Sequence, residues 1–133
     1  MPSNETHEES YQQGLKVRRE VLGRDHVDRS LAQVSEFARP MQELVTEYCW
    51  GVVWSRNGLE RKVRSLLNLA MLTALNRTHE FAVHVRGALA NGANVAEIQE
   101  TLLQTAIYAG VPAALESFRI ADAILKEEAE RGS

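Results

Sequence analysis

The chain has 133 residues and a mass of 14.9 kDa, enough for one domain with its own core and short for two. Hydrophobic residues make up 44% and charged residues 25%, which excludes the compositional signature of disorder and the fibrous and low-complexity classes. Lys and Arg total 15 against 18 Asp and Glu, a net charge of −3 with a pI near 5.8; that balance argues against a nucleic-acid module and leaves no polybasic tail for a lipid surface.

Cys49 is the single cysteine, so one chain can build no disulfide, no CxxC redox pair and no multi-thiolate zinc site. A reducing, cytoplasmic setting is the expectation. The N-terminal MPSNETHEES has neither the basic nor the apolar region of a signal peptide. The longest apolar stretch, Leu102 to Leu115, is interrupted by Gln104, Thr105, Gly110 and Pro112 and is shorter than the roughly 20 residues that cross a bilayer.

Residues 1–10 read as a disordered arm, because they carry too little apolar surface to offset ordering; a single helical domain is expected over residues 11–133. Tyr11, Leu15, Arg18 and Leu22 step by three and four until Gly23, and a second helix is predicted from Asp25 or His26 to about Phe37. Pro40 suits the first turn of a third helix, through Met41, Leu44, Val45 and Tyr48, that decays near Gly51. Asn57-Gly58 marks a turn. From about Leu59 to Leu75 runs the most apolar helix, whose stripe of Val63, Leu66, Leu67, Ala70, Met71 and Ala74 is wide enough to be packed from more than one side.

Thr78 can cap a fifth helix through Phe81, His84, Val85, Ala88 and Leu89, closed by Asn91-Gly92. Asn94 with Glu97 resembles a capping box for a sixth, through Ile98, Leu102, Thr105 and Ala106, which Gly110 stops. Pro112 opens the last, with Leu115, Phe118, Ala121 and Leu125 inward and Lys126 to Arg131 outward. No strand alternation or βαβ spacing occurs, so the predicted class is an all-α, single-domain bundle of six or seven helices.

Glu80 and His84 are four apart and share a helix face, whereas His79 is five from His84, so the two histidines cannot clamp one ion from a regular helix; no metal site is expected. His84 lies within the apolar stripe between Phe81 and Val85, where an imidazole beside a carboxylate has a tuned proton affinity. It is the best acid–base candidate, the alternative being a buried histidine satisfied by Glu80 or a carbonyl. Arg56, Arg61, Arg64, Arg77 and Arg86 cluster in sequence around the same region. Each alone reads as a solvated charge, but Arg64 sits at the edge of the apolar stripe, where a planar guanidinium can grip a carboxylate.

Trp50 and Trp54, one helical turn apart, read as a packing or subunit-contact pair. Tyr108, before Ala109-Gly110, could turn its hydroxyl to a pocket or make a structural hydrogen bond. Cys49, with no basic neighbour in sequence, reads as a buried small hydrophobe.

Three runs, EYCWGVVWSRNGLERKVRSLLNLAMLTALN (Glu47 to Asn76), HEFAVHVRGALANG (His79 to Gly92) and EIQETLLQTAIYAGVPAALESFR (Glu97 to Arg119), together with VLGRDHVDRS (Val21 to Ser30), resemble the 4-carboxymuconolactone decarboxylase family of the alkylhydroperoxidase-like superfamily. The likeness covers the chain from about Gly14. It rests on the tryptophan pair with WSR, the RSL of the central helix, E-x-x-x-H at Glu80 and His84, and Y-x-G-x-P-A-A at Tyr108 to Ala114. Asn57 stands where the family often has proline, and Ala109 where many members have cysteine. The superfamily's peroxide-reducing members carry a CxxC before the histidine; Arg77 and Glu80 occupy those positions here, which removes disulfide chemistry.

The resemblance implies a cofactor-free carboxy-lyase, a homo-oligomer (hexamer or trimer), that converts 4-carboxymuconolactone to 3-oxoadipate enol-lactone in protocatechuate breakdown, the β-ketoadipate pathway. It implies His84 as proton donor with Glu80 orienting it, Arg64 and either Arg56 or Arg86 on the carboxylates, and Trp54 and Tyr108 as pocket walls. The partner is then a small carboxylated lactone, with neither nucleic acid nor membrane involved. A family member acting on another lactone or carboxylic acid, and a non-catalytic helical oligomer or small-ligand binder, are the alternatives.

Overall fold

In the computed structural model, which describes residues 4–132, the secondary structure consists of seven α-helices and one π-helical stretch, with no strand among the described residues. This is the all-α class that the helical periodicity implies. The chain folds as two compact units, Met1–Glu60 and Arg61–Ser133.

The first unit holds α1 (Asn4–Leu22), α2 (Arg24–Ala32), α3 (Arg39–Leu44) and the π-helical stretch Val45–Val53. Val17, Val21, Trp50 and Trp54 form its core, flanked by Leu22 and Val45. The indole rings stack with centroids 4.7 Å apart, so the tryptophan pair is packing within this unit. Cys49 is exposed, not buried as its sequence context suggests.

The start of this unit differs from the expectation. Helix begins at Asn4, so residues 4–10 of the expected arm are ordered, and residues 1–3 lie outside the described part. The reason is a long-range contact: His7 Nδ1 pairs with Glu47 of the π stretch, and one turn further on the backbone of Ser10 lies against Gly51. Helix α2 stops at Ala32, short of Phe37, because Ser35 Oγ accepts from the Ala38 amide at 3.1 Å and folds the chain into a turn. Phe37 is left 96% exposed.

The closest approach of backbones in this unit is between α1 and the π stretch, at two glycines. A Cβ on Gly14 would overlap the Thr46 carbonyl, and one on Gly51 would overlap the Ser10 carbonyl. Neither obstacle is the movable end of a side chain.

The second unit is built from α4 (Arg61–Ala74), α5 (Thr78–Ala90), α6 (Val95–Ala109) and α7 (Val111–Arg131). Leu69, Phe81, Val85, Ile98, Leu102 and Ile124 meet in its core, and full burial of each contributes about 1.5–3 kcal/mol. Two hydrogen bonds fix the apolar layers in register. Thr73 Oγ1 and Ser117 Oγ are 2.7 Å apart in the interior, and Asn91 Nδ2 donates to Ser65 Oγ at 3.1 Å. The capping box forms as expected: Glu97 N donates to Asn94 Oδ1 at 2.8 Å, and Asn94 N donates to Glu97 Oε1 at 3.0 Å. Gly110, at φ 115, makes the corner between α6 and α7 that a side chain would strain.

Two outcomes follow. Gly14→Ala is expected to lower the stability of the folded chain by about 1–3 kcal/mol, the usual cost of forcing atoms into filled space, read as a shift of the urea midpoint. The Asn94 amide first, then the Lys62 ammonium 3.0 Å away, hold the Glu97 carboxyl below its ordinary value. A depressed folded-state value stabilises above the unfolded value of about 4.3 and is lost as pH falls through the folded one. Thermal melts of Glu97→Gln should therefore lie below native at neutral pH and converge with it in the acid range below the ordinary carboxylate value.

Candidate active site

Helix α4 buries Ser65, Leu69 and Thr73 along one line. At about 100° per residue, Arg61, Arg64 and Asn68 fall on one side of that line and Val63, Leu67 and Ala70 on the other, while Met71, seven positions after Arg64, lies within about 20° of it on the outer side of the helix. One helix thus carries a polar strip and an apolar strip, and the candidate residues divide between them.

Facing the polar strip is His84 on α5, half-buried, with Nδ1 3.4 Å from Asn68 Nδ2. Arg64, also half-buried, lies one turn before Asn68 on the same side of α4. Glu80, exposed, stands one turn before His84 on α5. A fixed cation, a carboxylate and a partly desolvated imidazole on facing sides of two helices can hold an anion and exchange a proton with it.

The structure turns Arg86 elsewhere. It lies about 200° round α5 from His84, and its guanidinium donates to Glu127 on α7 at 3.2 Å. Arg86, expected beside the substrate carboxylates, does not share the face of His84, since residues two apart on a helix point to different sides. Tyr108 is 85% exposed. It borders an apolar groove of about 470 Å³ between α4 and α6 with Leu67, Met71 and Gln104, and neither His84 nor Arg64 lines that groove. Arg56 and Trp54 belong to the first unit, where Trp54 is a core residue and Arg56 is exposed.

Among the described residues no three of His, Cys, Asp and Glu converge as a metal site requires. His79 is exposed and about 140° from His84 round the helix. In the first unit, the protein atoms packed around Cys49 partly desolvate its thiol, although the residue reaches the surface, and raise it by more than the Arg18 charge lowers it, the reverse of what an activated nucleophile needs. Arg18 itself, lowered by desolvation, donates to Thr46 Oγ1 at 3.1 Å.

Asn68 is the residue that sequence reading passed over. The signal was present: a polar amide four positions after Arg64 inside LLNLAML. Among the described residues, no helix is long and apolar enough to cross a membrane.

The sequence model of the carboxymuconolactone decarboxylase family matches residues 39–123. A 4-carboxymuconolactone decarboxylase of Acinetobacter baylyi is 42% identical over 120 residues, 90% of this chain and 90% of that protein. A nitrosuccinic acid decarboxylase of Metarhizium robertsii is 38% identical over 130 residues, 98% of this chain and 91% of that protein. A 4-carboxymuconolactone decarboxylase of Pseudomonas putida is 44% identical over 41 residues, 31% of this chain. With its helical fold and the paired faces of α4 and α5, the chain belongs to the carboxymuconolactone decarboxylase family. It is accordingly a carboxy-lyase that acts on a small molecule.

Proposed function

We propose that the protein decarboxylates 4-carboxymuconolactone to 3-oxoadipate enol-lactone without a cofactor, using the polar faces of α4 and α5. The observation that carries this reading is the half-buried His84 opposite the strip that bears Arg64. The similarity to the Acinetobacter baylyi enzyme across 90% of both chains supports it. In this reaction the bond between ring carbon and carboxylate breaks and CO2 leaves. The electron pair delocalises through the ring alkene to the lactone carbonyl, so the substrate supplies its own electron sink.

What the protein must add is positioning and a proton. Arg64 holds the anionic group; a guanidinium stays charged throughout and its fork matches a carboxylate. His84 in its protonated form passes a proton from Nε2 to carbon as the dienolate collapses, and water restores it. Glu80, one turn earlier, favours the protonated ring.

A second substrate is favoured by one observation, the 38% identity to a nitrosuccinic acid decarboxylase over 98% of this chain. There a nitro group would take the electron pair in place of the lactone carbonyl, and the protein's tasks would be the same. Purified, chelator-treated protein given each acid in turn separates the two by CO2 release: turnover of the lactone supports the first reading, and turnover of nitrosuccinate alone assigns the second. His84→Ala should lower kcat by about 10²-fold or more, the usual worth of a positioned general acid, with helix content unchanged by circular dichroism. Near-native turnover in that variant would remove His84 from the reaction.

The homo-oligomer, trimer or hexamer, is part of the same proposal. The second unit leaves Leu67, Met71, Ile107, Tyr108 and Leu115 between 45% and 85% exposed, more apolar surface than a monomer of this size ordinarily shows. Ile107→Glu should shift the mass measured by light scattering toward the monomer, whereas an unchanged mass would place the subunit contact elsewhere.

A further inference from the structure

One group that touches the acid–base candidate from another helix is an uncharged amide. Asn68 Nδ2 on α4 stands 3.4 Å from Nδ1 of His84 on α5, so the ring is gripped along one edge and Nε2 lies on the other. The charged groups of this unit on the facing sides are Glu80, one turn earlier on α5, and Arg61 and Arg64 on α4. On α7, which also packs on α5, Glu127 is turned to Arg86 on the far side of the helix. Resting on the reading of His84 as proton donor, we propose that Asn68 is its positioning residue, engaging Nδ1 and so reserving Nε2 as the edge from which the proton leaves.

The chemistry of the amide explains why this residue type serves. When the ring is neutral with its hydrogen on Nε2, the amide nitrogen donates across the 3.4 Å contact and Nδ1 accepts. Once the ring is protonated, Nδ1 becomes a donor, and a half-turn of the amide presents Oδ1 to it. When Nε2 then gives its proton to the substrate carbon, the ring that remains is neutral and keeps its hydrogen on Nδ1, still bonded to Oδ1. Water reprotonates Nε2 and the cycle is complete. A carboxylate could not donate to the neutral ring, and an ammonium could not accept from the charged one. The amide partners both forms and adds no charge, so the choice between them is left to Glu80, Arg64 and the substrate. Control of this kind over a catalytic imidazole is worth orders of magnitude in rate where a neighbour sets the ring's tautomer.

The test uses Asn68→Asp and Asn68→Leu, both close to asparagine in volume. In protein labelled with 15N in its histidine rings, the His84 resonances, assigned with a His84→Gln variant, are followed against pH without substrate. Asn68→Asp should raise the His84 midpoint by about one unit or more, because a carboxylate now faces Nδ1. The alkaline limb of its kcat profile should move upward with that midpoint. Asn68→Leu should lower kcat about tenfold or more with KM within a factor of about two, since a general acid held loosely loses much of its worth. A His84 midpoint unmoved by Asn68→Asp, or native kcat in Asn68→Leu, overturns the proposal. The midpoint is read with no substrate present, so failure of the native protein to turn over either acid counts against the decarboxylation reading alone.

Discussion

The rotational phase of α4 is the constraint on which the rest of the second unit depends. Ser65, Leu69 and Thr73 must face inward, Leu69 to meet Phe81 and Val85, and Thr73 to reach Ser117. With that line fixed, Arg64 and Asn68 have no choice of side, and neither do Leu67 and Met71. A change of phase would cost the buried hydroxyl pair and leave polar atoms unsatisfied in the interior. The face that carries Arg64 and Asn68 is thus positioned by residues turned away from it.

That separation bears on how one scaffold can serve different acids. Two relatives are named for different substrates, 4-carboxymuconolactone and nitrosuccinic acid, and on the proposed chemistry either acid asks for an anchored anion, an internal electron sink and a proton. None of these demands touches the buried line of α4. On the proposed site, substrate choice can drift with the residues around His84 and Arg64 while Leu69, Phe81 and Ile98 keep the helices in place.

What the sequence discloses is what local chemistry decides. The Asn94–Glu97 capping box, the stop at Asn91-Gly92 and the start of α7 beside Pro112 are each settled by groups within a few residues of one another, and all were legible. His84 and Glu80 were legible as a pair for the same reason, sharing a face at a spacing of four. What escaped depends on partners far along the chain. Helix before Tyr11 needs Glu47 as the partner of His7; Arg86 is committed by Glu127; Asn68 gains meaning only when α5 lies against α4. The π winding of Val45–Val53 has no residue signature at all, since its apolar content suits an α-helix equally well.

That winding bears on how the chain can change in length. Its ladder spans five residues, as in the 2.9 Å bond from Trp54 N to the Cys49 carbonyl, and so brings Thr46 and Gly51 together against the bare face of Gly14. In ordinary α winding two residues five apart would diverge by about 140°, and the pair would no longer meet one glycine. Loss of a single residue here would leave a respectable helix and an abolished fit. Deletions and insertions, which surface turns absorb freely, are in this stretch a matter of register, so the first unit tolerates exchange of side chains there far better than a change in their number.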